Sequence, residues 1–151
     1  IAMNDIIYAS LLIKKNVVET DPYEKGLRKI LNFGHTIGHA IEAYSLENET
    51  TPLLHGEAIV IGMICEAYIS AYKCGLPENE LHEIKTILLS HYPQYNLNKF
   101  DIDKLVDSMS IDKKNEGSTI MAALLKNIGT CTYDIAITKE DVIKGIAFYE
   151  A

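Results

Sequence analysis

Three histidines in the first third of the chain point most directly to chemistry. His35 and His39 lie four residues apart in LNFGHTIGHAIE, residues 31–42, and His55 follows in LLHGEAIVIGM. Residues four apart project from one face of a helix, so His35 and His39 could share a metal or a ligand. The same spacing also fits two helix-surface histidines with satisfied hydrogen bonds.

His55 offers a third imidazole at the entrance to the next helix. It can join the other two if residues 45–54 bring the chain back antiparallel. Zinc is well served by imidazoles with a carboxylate and an open position for substrate. Glu57 is a nearby carboxylate, but its place in a first helical turn favours a surface acid that stabilises the helix dipole. We interpret His82 and His91, which lack such neighbours, as surface residues.

Gly34 and Gly38 each precede one of the paired histidines. A glycine inside a helix costs roughly 1 kcal/mol relative to alanine, so their presence needs a reason. Together they form a strip without side chains beside the imidazoles. Either a small ligand or another helix could approach the backbone there, and the sequence leaves both possibilities open.

Basic and amide side chains near the motif suit an anionic substrate. Lys14, Arg28 and Asn32 have helical or loop spacings that could place them around one pocket. Lys113 and Lys114, in IDKKNEG, could add further positive charge. Each alone is typical of a solvated surface residue, and spacing does not relate them to the histidines.

The elements that position these residues are predicted to be mainly helical. Apolar periodicity predicts helices up to residue 20 and over 27–44, 55–73 and 77–90. Asp101 can cap a fifth helix, and Thr138 with Asp141 forms a capping box for a last one. An Asn-Ile-Gly break in a partly β-branched run predicts a small β-hairpin near residues 119–137. The prediction is therefore one mainly α domain, residues 1–151, with about six helices.

Composition narrows the class of protein. With 151 residues and 48% apolar content, the chain can bury one core, and its net charge of −7 argues against a general nucleic-acid binder. Cys65, Cys74 and Cys131 are odd in number and lack CxxC spacing, which favours a reducing cytoplasm. The apolar run 58–72 carries Glu66 and is too short to span a membrane. The helical opening without a methionine indicates a piece of a longer protein.

The segments GLRKILNFGHTIGHAIE and LLHGEA, with IDKKNEG and LLKNIG after them, resemble the 3-dehydroquinate synthase family over nearly the whole chain. That family joins an N-terminal Rossmann-like NAD-binding domain to a C-terminal helical domain, with the active site between them. The resemblance implies that this chain is the helical half, and it contains no GxGxxG-type phosphate loop. The implied reaction converts 3-deoxy-D-arabino-heptulosonate 7-phosphate to 3-dehydroquinate and phosphate in the shikimate pathway.

The same resemblance divides the histidines by role. His35 and His55 are implied to be two of three protein ligands of a catalytic Zn²⁺ or Co²⁺, the third being a glutamate upstream of this chain. His39 is implied to take part in substrate phosphate and proton handling, with Glu24 as the acid just before GLR. No NAD-binding residue is expected in this half.

The substrate-binding residues also follow from the resemblance. Lys14 and Arg28 are implied to hold the substrate carboxylate, and Asn32 to hydrogen-bond to the phosphate or its neighbours. Lys113 is implied to bind the phosphate, with Lys114 as its substitute. A cytoplasmic homodimer without nucleic-acid or membrane partners is expected, and the isolated chain is expected to be inactive.

Other functions remain open at this point. A related sugar-phosphate cyclase, such as a 2-epi-5-epi-valiolone or 2-deoxy-scyllo-inosose synthase, would use the same scaffold, although Lys14 with Arg28 favours a carboxylate-bearing substrate. An iron-type dehydrogenase is disfavoured by GLRxxLNFGH. If the chain were complete as given, a non-catalytic metal- or partner-binding module would be the better hypothesis.

Overall fold

The structure, a computed structural model, describes residues 2–111 and 119–151. Its elements follow in the order α1 (Met3–Thr20), a 3-10 segment (Leu27–Asn32), α2 (His35–Asn48), α3 (His55–Cys74), α4 (Glu78–His91), α5 (Ile102–Ile111), β1 (Ile120–Asn127), β2 (Thr130–Ile137) and α6 (Lys139–Glu150). The predicted mainly α fold with a small hairpin is confirmed. Within these ranges, no helix is both long and apolar enough to cross a membrane.

Helix α3 is the centre of the domain. It packs against α2, α4, α6 and β1, and most of its residues from Ala58 to Ser70 are buried. A helix covered on nearly all sides is apolar all round, which explains the run AIVIGMICEAYISAY. Glu66, in the middle of that run, is completely buried.

The prediction of one helix over residues 27–44 is wrong. A 3-10 segment ends at Asn32, Gly34 takes a left-handed conformation with φ +81°, and α2 begins only at His35. A left-handed residue cannot continue a right-handed helix, so the chain must break there. His35 is therefore the first residue of a helix and not an interior one. Helix α2 also continues past the predicted end, to Asn48.

The glycine strip packs against α3, which decides between the two possibilities that the sequence left open. A Cβ added to Gly62 of α3 would lie 2.0 Å from the Gly34 carbonyl oxygen and 2.6 Å from the Gly38 nitrogen. A Cβ on Gly38 would lie 2.8 Å from Ile59 Cδ1. Gly34 lies beside Met63, whereas Glu42 bonds to His55, so α3 runs back antiparallel to α2. The glycines thus allow two helix backbones to touch.

Helix α1 ends at Thr20 as predicted, but most of its apolar side chains are exposed. Only Val17 is buried, and the helix packs mainly on the 3-10 segment. The periodic apolar face, which includes Met3, Ile6 and Ile13, contacts little of the described chain.

The hairpin forms where the β-branched run predicts it. Gly129, with φ +88°, allows the two-residue turn, and β1 pairs antiparallel with β2 from Ile120↔Ile137 to Asn127↔Thr130 with two register irregularities. The Ser70 hydroxyl of α3 accepts a hydrogen bond from the Leu125 N–H at 2.9 Å. The hairpin is thereby attached to the central helix.

Candidate metal centre and adjoining cleft

The three histidines converge, although they come from two different helices. Their ligand atoms all lie within 4.8 Å of one another. Ring centroids are 5.2 Å apart for His35 and His39, and 5.7 Å apart for each pairing with His55. His35 is half-buried, whereas His39 and His55 are exposed, so the triad opens at the surface of this chain. A cluster of this size and composition can hold a divalent transition metal.

Two of the three rings have a fixed tautomer. His35 Nδ1 lies 3.1 Å from the Phe33 carbonyl oxygen, and His55 Nδ1 lies 3.1 Å from Glu42 Oε2. A carbonyl oxygen and an ionised carboxylate both accept, so each Nδ1 carries a proton and, in the neutral imidazole, each Nε2 has a free lone pair. Metal-binding histidines typically donate their second nitrogen to a carbonyl or carboxylate in this way. His35 and His55 therefore fit a metal in both position and tautomer.

The His39 ring is different. Within residues 2–111 and 119–151, no protein group makes a hydrogen bond to it. Partial burial and the neighbouring His35 lower its pKa, helped by His55 and opposed by Glu42. A lowered pKa keeps this imidazole neutral and able to accept a proton near neutral pH.

A buried carboxylate holds the beginning of the helix that carries two of the histidines. Glu66 accepts the Gly34 N–H at 2.6 Å through Oε2 and the Ile37 N–H at 2.9 Å through Oε1. Burial raises the pKa of Glu66 to about 8, and the backbone N–H groups oppose that rise. This contact takes the place of a side-chain cap, which Gly34 cannot supply.

A cleft of about 540 Å³ adjoins the triad. The 3-10 segment with its preceding loop, the first two turns of α2 and both strands of the hairpin line this cleft. Its polar lining residues are Tyr23, Glu24, Lys29, Asn32, His35, Thr36, His39, Tyr133 and Asp134. Four sequence-predicted site residues, Glu24, Asn32, His35 and His39, thus share one cavity wall. The cleft is large enough for a small phosphorylated metabolite.

Glu24 and Asn32 are in direct contact. The Asn32 Nδ2 amide donates to Glu24 Oε1 at 3.1 Å. Lys29 also lines the cleft, and its ammonium donates to both Asp134 oxygens at 2.7 and 2.9 Å. The hydrogen bond that Lys29 donates to Asp134 raises the pKa of Lys29, so this cation stays charged but is already paired.

Among the described residues, Lys14 and Arg28 are not part of the cleft lining. Lys14 is exposed on α1. Arg28 donates from its guanidinium to the Pro22 carbonyl at 3.0 Å, and from its backbone N–H to Asp21 at 3.0 Å. Lys113 and Lys114 lie outside the described residues. The carboxylate- and phosphate-binding roles of these four cations remain predictions.

Sequence reasoning missed two carboxylates that support the histidines. Glu42 lies three residues after His39, and that helical spacing was a usable signal. Glu66 was visible as the one charged residue in an apolar run, but its partners lie about 30 residues away and left no local signal.

The interpretations of Glu57 and of the two other histidines are confirmed. Glu57 accepts the Leu54 N–H at 2.8 Å in the first turn of α3 and acts there as a helix cap. His82 and His91 are exposed on α4. The three cysteines are free thiols.

The sequence of the chain matches one protein family and several of its members. Residues 1–115 match the family model described as 3-dehydroquinate synthase C-terminal. The chain is 40% identical over 147 residues to a 3-dehydroquinate synthase of Parabacteroides distasonis, covering 97% of this chain and 41% of that protein. It is 44% identical over 127 residues to one of Clostridium botulinum, covering 84% and 35%. The chain thus spans less than half the length of these relatives.

A solved structure shares the fold. A 2-deoxy-scyllo-inosose synthase complexed with carbaglucose-6-phosphate, NAD⁺ and Co²⁺ superposes with a TM-score of 0.72 at 29% identity, over 91% of this chain and 39% of that one. Helices and hairpin together therefore form a fold found in sugar-phosphate cyclases.

Proposed function

Since the chain belongs to the 3-dehydroquinate synthase C-terminal family, we propose that it forms the metal- and substrate-binding part of a 3-dehydroquinate synthase. The enzyme would convert 3-deoxy-D-arabino-heptulosonate 7-phosphate to 3-dehydroquinate and phosphate in the shikimate pathway. Its relatives are more than twice as long, which supports an upstream NAD-binding domain. We propose a cytoplasmic homodimer, and the three free thiols fit a reducing compartment.

The observation that carries the proposal is the difference between the three rings of the triad. His35 and His55 have acceptor partners on Nδ1 and a free lone pair on Nε2, whereas His39 has no such partner among the described residues. This difference favours His35 and His55 as ligands of Zn²⁺ or Co²⁺, with His39 as an unligated base. A third ligand from the upstream part would complete the site, because the triad opens at the surface of this chain.

The two cofactors supply the chemistry that side chains cannot. Zinc, when bound, eases deprotonation of a substrate hydroxyl and polarises a carbonyl at the same carbon. NAD supplies the hydride acceptor and donor.

The chain's own residues bind the substrate and handle protons. A ring nitrogen of His39, kept neutral by its lowered pKa, accepts a proton or a hydrogen bond at the substrate's phosphate end. Glu24 orients the Asn32 amide and adds an acid beside it. Lys14 and Arg28 are proposed to hold the carboxylate, and Lys113, or Lys114 in its place, the phosphate. Fixing both anionic ends would present successive intermediates in similar geometry.

The main alternative is a related sugar-phosphate cyclase, which the 2-deoxy-scyllo-inosose synthase likeness favours. The two functions differ in the substrate carboxylate, which Lys14 and Arg28 would bind. A test is to assay the protein, with all upstream sequence of its reading frame, for phosphate release from the heptulosonate phosphate in the presence of NAD⁺ and Zn²⁺.

We expect metal-dependent phosphate release with that substrate and none with sedoheptulose 7-phosphate, which lacks the carboxylate. Turnover of sedoheptulose 7-phosphate alone would transfer the proposal to the alternative cyclases. A reading frame that begins at Ile1, with no turnover of either substrate, would favour the non-catalytic metal-binding module.

A further inference from the structure

The Glu66 carboxylate is completely buried, and its two oxygens have different partners. Oε2 accepts the Gly34 N–H, and Oε1 accepts the Ile37 N–H. Burying a carboxyl group costs free energy unless the group is hydrogen-bonded. The two backbone N–H groups therefore offset part of the cost of burying Glu66. Its partners are backbone groups of another helix, and they flank His35 on both sides.

The first turn of α2 depends on a remote acceptor for its backbone N–H groups. Gly34 occupies the cap position without a side chain, and no side-chain cap is present there. The first N–H groups of a helix have no partner within the helix, and a negative charge near them is favourable. Glu66 therefore supplies the hydrogen-bond acceptors that a local capping residue would normally provide.

The direction of the His35 ring depends on the same few residues. His35 is the first residue of α2, and its Nδ1 bonds to the Phe33 carbonyl, just before Gly34. If the first turn frayed, both the Cβ direction and this hydrogen bond would be lost. His39 lies a full turn further on, where the helix has its own hydrogen bonds.

Ser70 ties the same stretch of α3 to strand β1, whose earlier residues line the cleft. Its hydroxyl donates to the Glu66 carbonyl at 2.6 Å and accepts the Leu125 N–H of β1 at 2.9 Å. Glu66 and Ser70 lie one turn apart on α3, so a single helix sets both the beginning of α2 and the position of the hairpin.

We propose that Glu66 is a positioning residue of the metal centre, which acts by fixing the first turn of α2 so that His35 Nε2 points at the metal. The inference rests on the proposed metal-binding role of His35 and His55. Glu66 is not itself a ligand, because its two oxygens are occupied by N–H donors inside the core.

The test compares Glu66→Gln with Asp141→Asn in the protein as it is encoded, upstream sequence included. Glutamine keeps the shape but has one oxygen for two donors. Asp141 is a matched control, since it is also a buried carboxylate that caps a helix, but it caps α6. The readouts are Co²⁺ affinity, the Co²⁺ visible spectrum and hydrogen exchange at the Gly34 and Ile37 amides.

We expect Glu66→Gln to weaken Co²⁺ binding roughly 10-fold, as loss of a residue that orients a ligand typically does. The visible spectrum should change and both amides should exchange faster, whereas Asp141→Asn should bind Co²⁺ as the wild type does. Wild-type affinity and spectrum in Glu66→Gln would overturn the inference, and so would an equal loss in Asp141→Asn.

Two further results keep the outcomes distinct. If the wild-type protein takes up no Co²⁺, the metal centre itself is wrong, and the role of Glu66 falls with it. If Glu66→Gln does not fold, hydrogen exchange of the wild-type protein tests the inference instead. A metal whose binding depends on the first turn of α2 must, when bound, stabilise that turn. Slower exchange of the Gly34 and Ile37 amides on Co²⁺ binding supports the inference, and unchanged exchange overturns it.

Discussion

Helices α2 and α6 begin in opposite ways. The α6 cap is local: the Thr138 N–H donates to Asp141 Oδ2 at 2.8 Å, and the Asp141 N–H donates to Thr138 Oγ1 at 3.2 Å. The α2 cap is remote, because Gly34 offers no side chain and the acceptor, Glu66, comes from α3. One cap needs four consecutive residues, whereas the other exists only after two helices have packed.

The difference shows where the candidate site is vulnerable. The two hydrogen bonds of a local cap need no second helix, and α6 carries none of the proposed site residues. The beginning of α2 carries His35, and its geometry depends on close packing against α3 at Gly62 and on a carboxylate in the core. Changes in the α2–α3 contact should therefore affect metal binding, and changes at α6 should affect stability alone.

The largest expected effect comes from Gly62→Ala. The added Cβ would lie 2.0 Å from the Gly34 carbonyl oxygen, so the two backbones must separate. We expect a loss of about 3 kcal/mol in the free energy of unfolding, measured by urea denaturation, with weaker Co²⁺ binding.

Gly145→Ala is the corresponding variant of α6. Its Cβ would approach the Cys65 carbonyl oxygen at 3.0 Å, a tight contact that a small shift can relieve. We expect a loss of about 1 kcal/mol and unchanged Co²⁺ affinity. Equal losses of metal affinity in the two variants would remove the distinction between the helices.

Asp141→Asn should have an intermediate effect on stability. Burial alone would raise the pKa of Asp141, but hydrogen bonds from the Thr138 N–H, the Lys73 ammonium and the Tyr72 hydroxyl outweigh it and keep the pKa below its usual value. Loss of the Asp141 charge should lower the free energy of unfolding by about 2 kcal/mol at neutral pH.

The pH dependence of that loss follows from the lowered pKa. Stabilisation by the Asp141 charge is fully present above the pKa of an unfolded aspartate, about 3.9, and is lost as the pH falls through the lower folded value. Urea unfolding of the wild type and of Asp141→Asn should therefore show a difference in the free energy of unfolding that disappears at acid pH. If this difference stayed constant through the acid range, the charge of Asp141 would not contribute to stability.

Thr138→Ala should have the smallest effect. The substitution removes only the longer capping bond, which the Asp141 N–H donates to the hydroxyl. The backbone N–H of residue 138 can still donate to the Asp141 carboxylate. We expect a loss of about 1 kcal/mol or less in urea denaturation and no change in Co²⁺ affinity. A loss as large as that of Asp141→Asn would mean that the hydroxyl, and not the carboxylate, dominates this cap.

Much of the fold followed from local patterns. The ends of α1 and α4, the hairpin around Gly129 and the capping box at Thr138 all have short-range signals, and the structure confirms them. The break at Gly34 was missed because a helix can tolerate a glycine inside an apolar periodic run at a cost of about 1 kcal/mol. Its left-handed conformation becomes visible only with α3 in place.

The sequence predicted the residues of the candidate site better than the carboxylates that hold them in place. The three histidines were identified from their types and spacing, and the structure brings them together with Glu24 and Asn32 nearby. The hydrogen bonds that Glu42 and Glu66 accept join residues 13 to 32 positions apart, and periodicity carries no information at that range.

Metal retention by three single-histidine variants tests the proposed division of roles most directly. With upstream sequence included, His35→Ala and His55→Ala should lose bound Zn²⁺ or Co²⁺ after dialysis, as measured by metal analysis. His39→Ala should keep the metal and release phosphate more slowly. Loss of metal from His39→Ala as complete as that from His55→Ala would contradict the division, and the triad would then act as a three-histidine metal site.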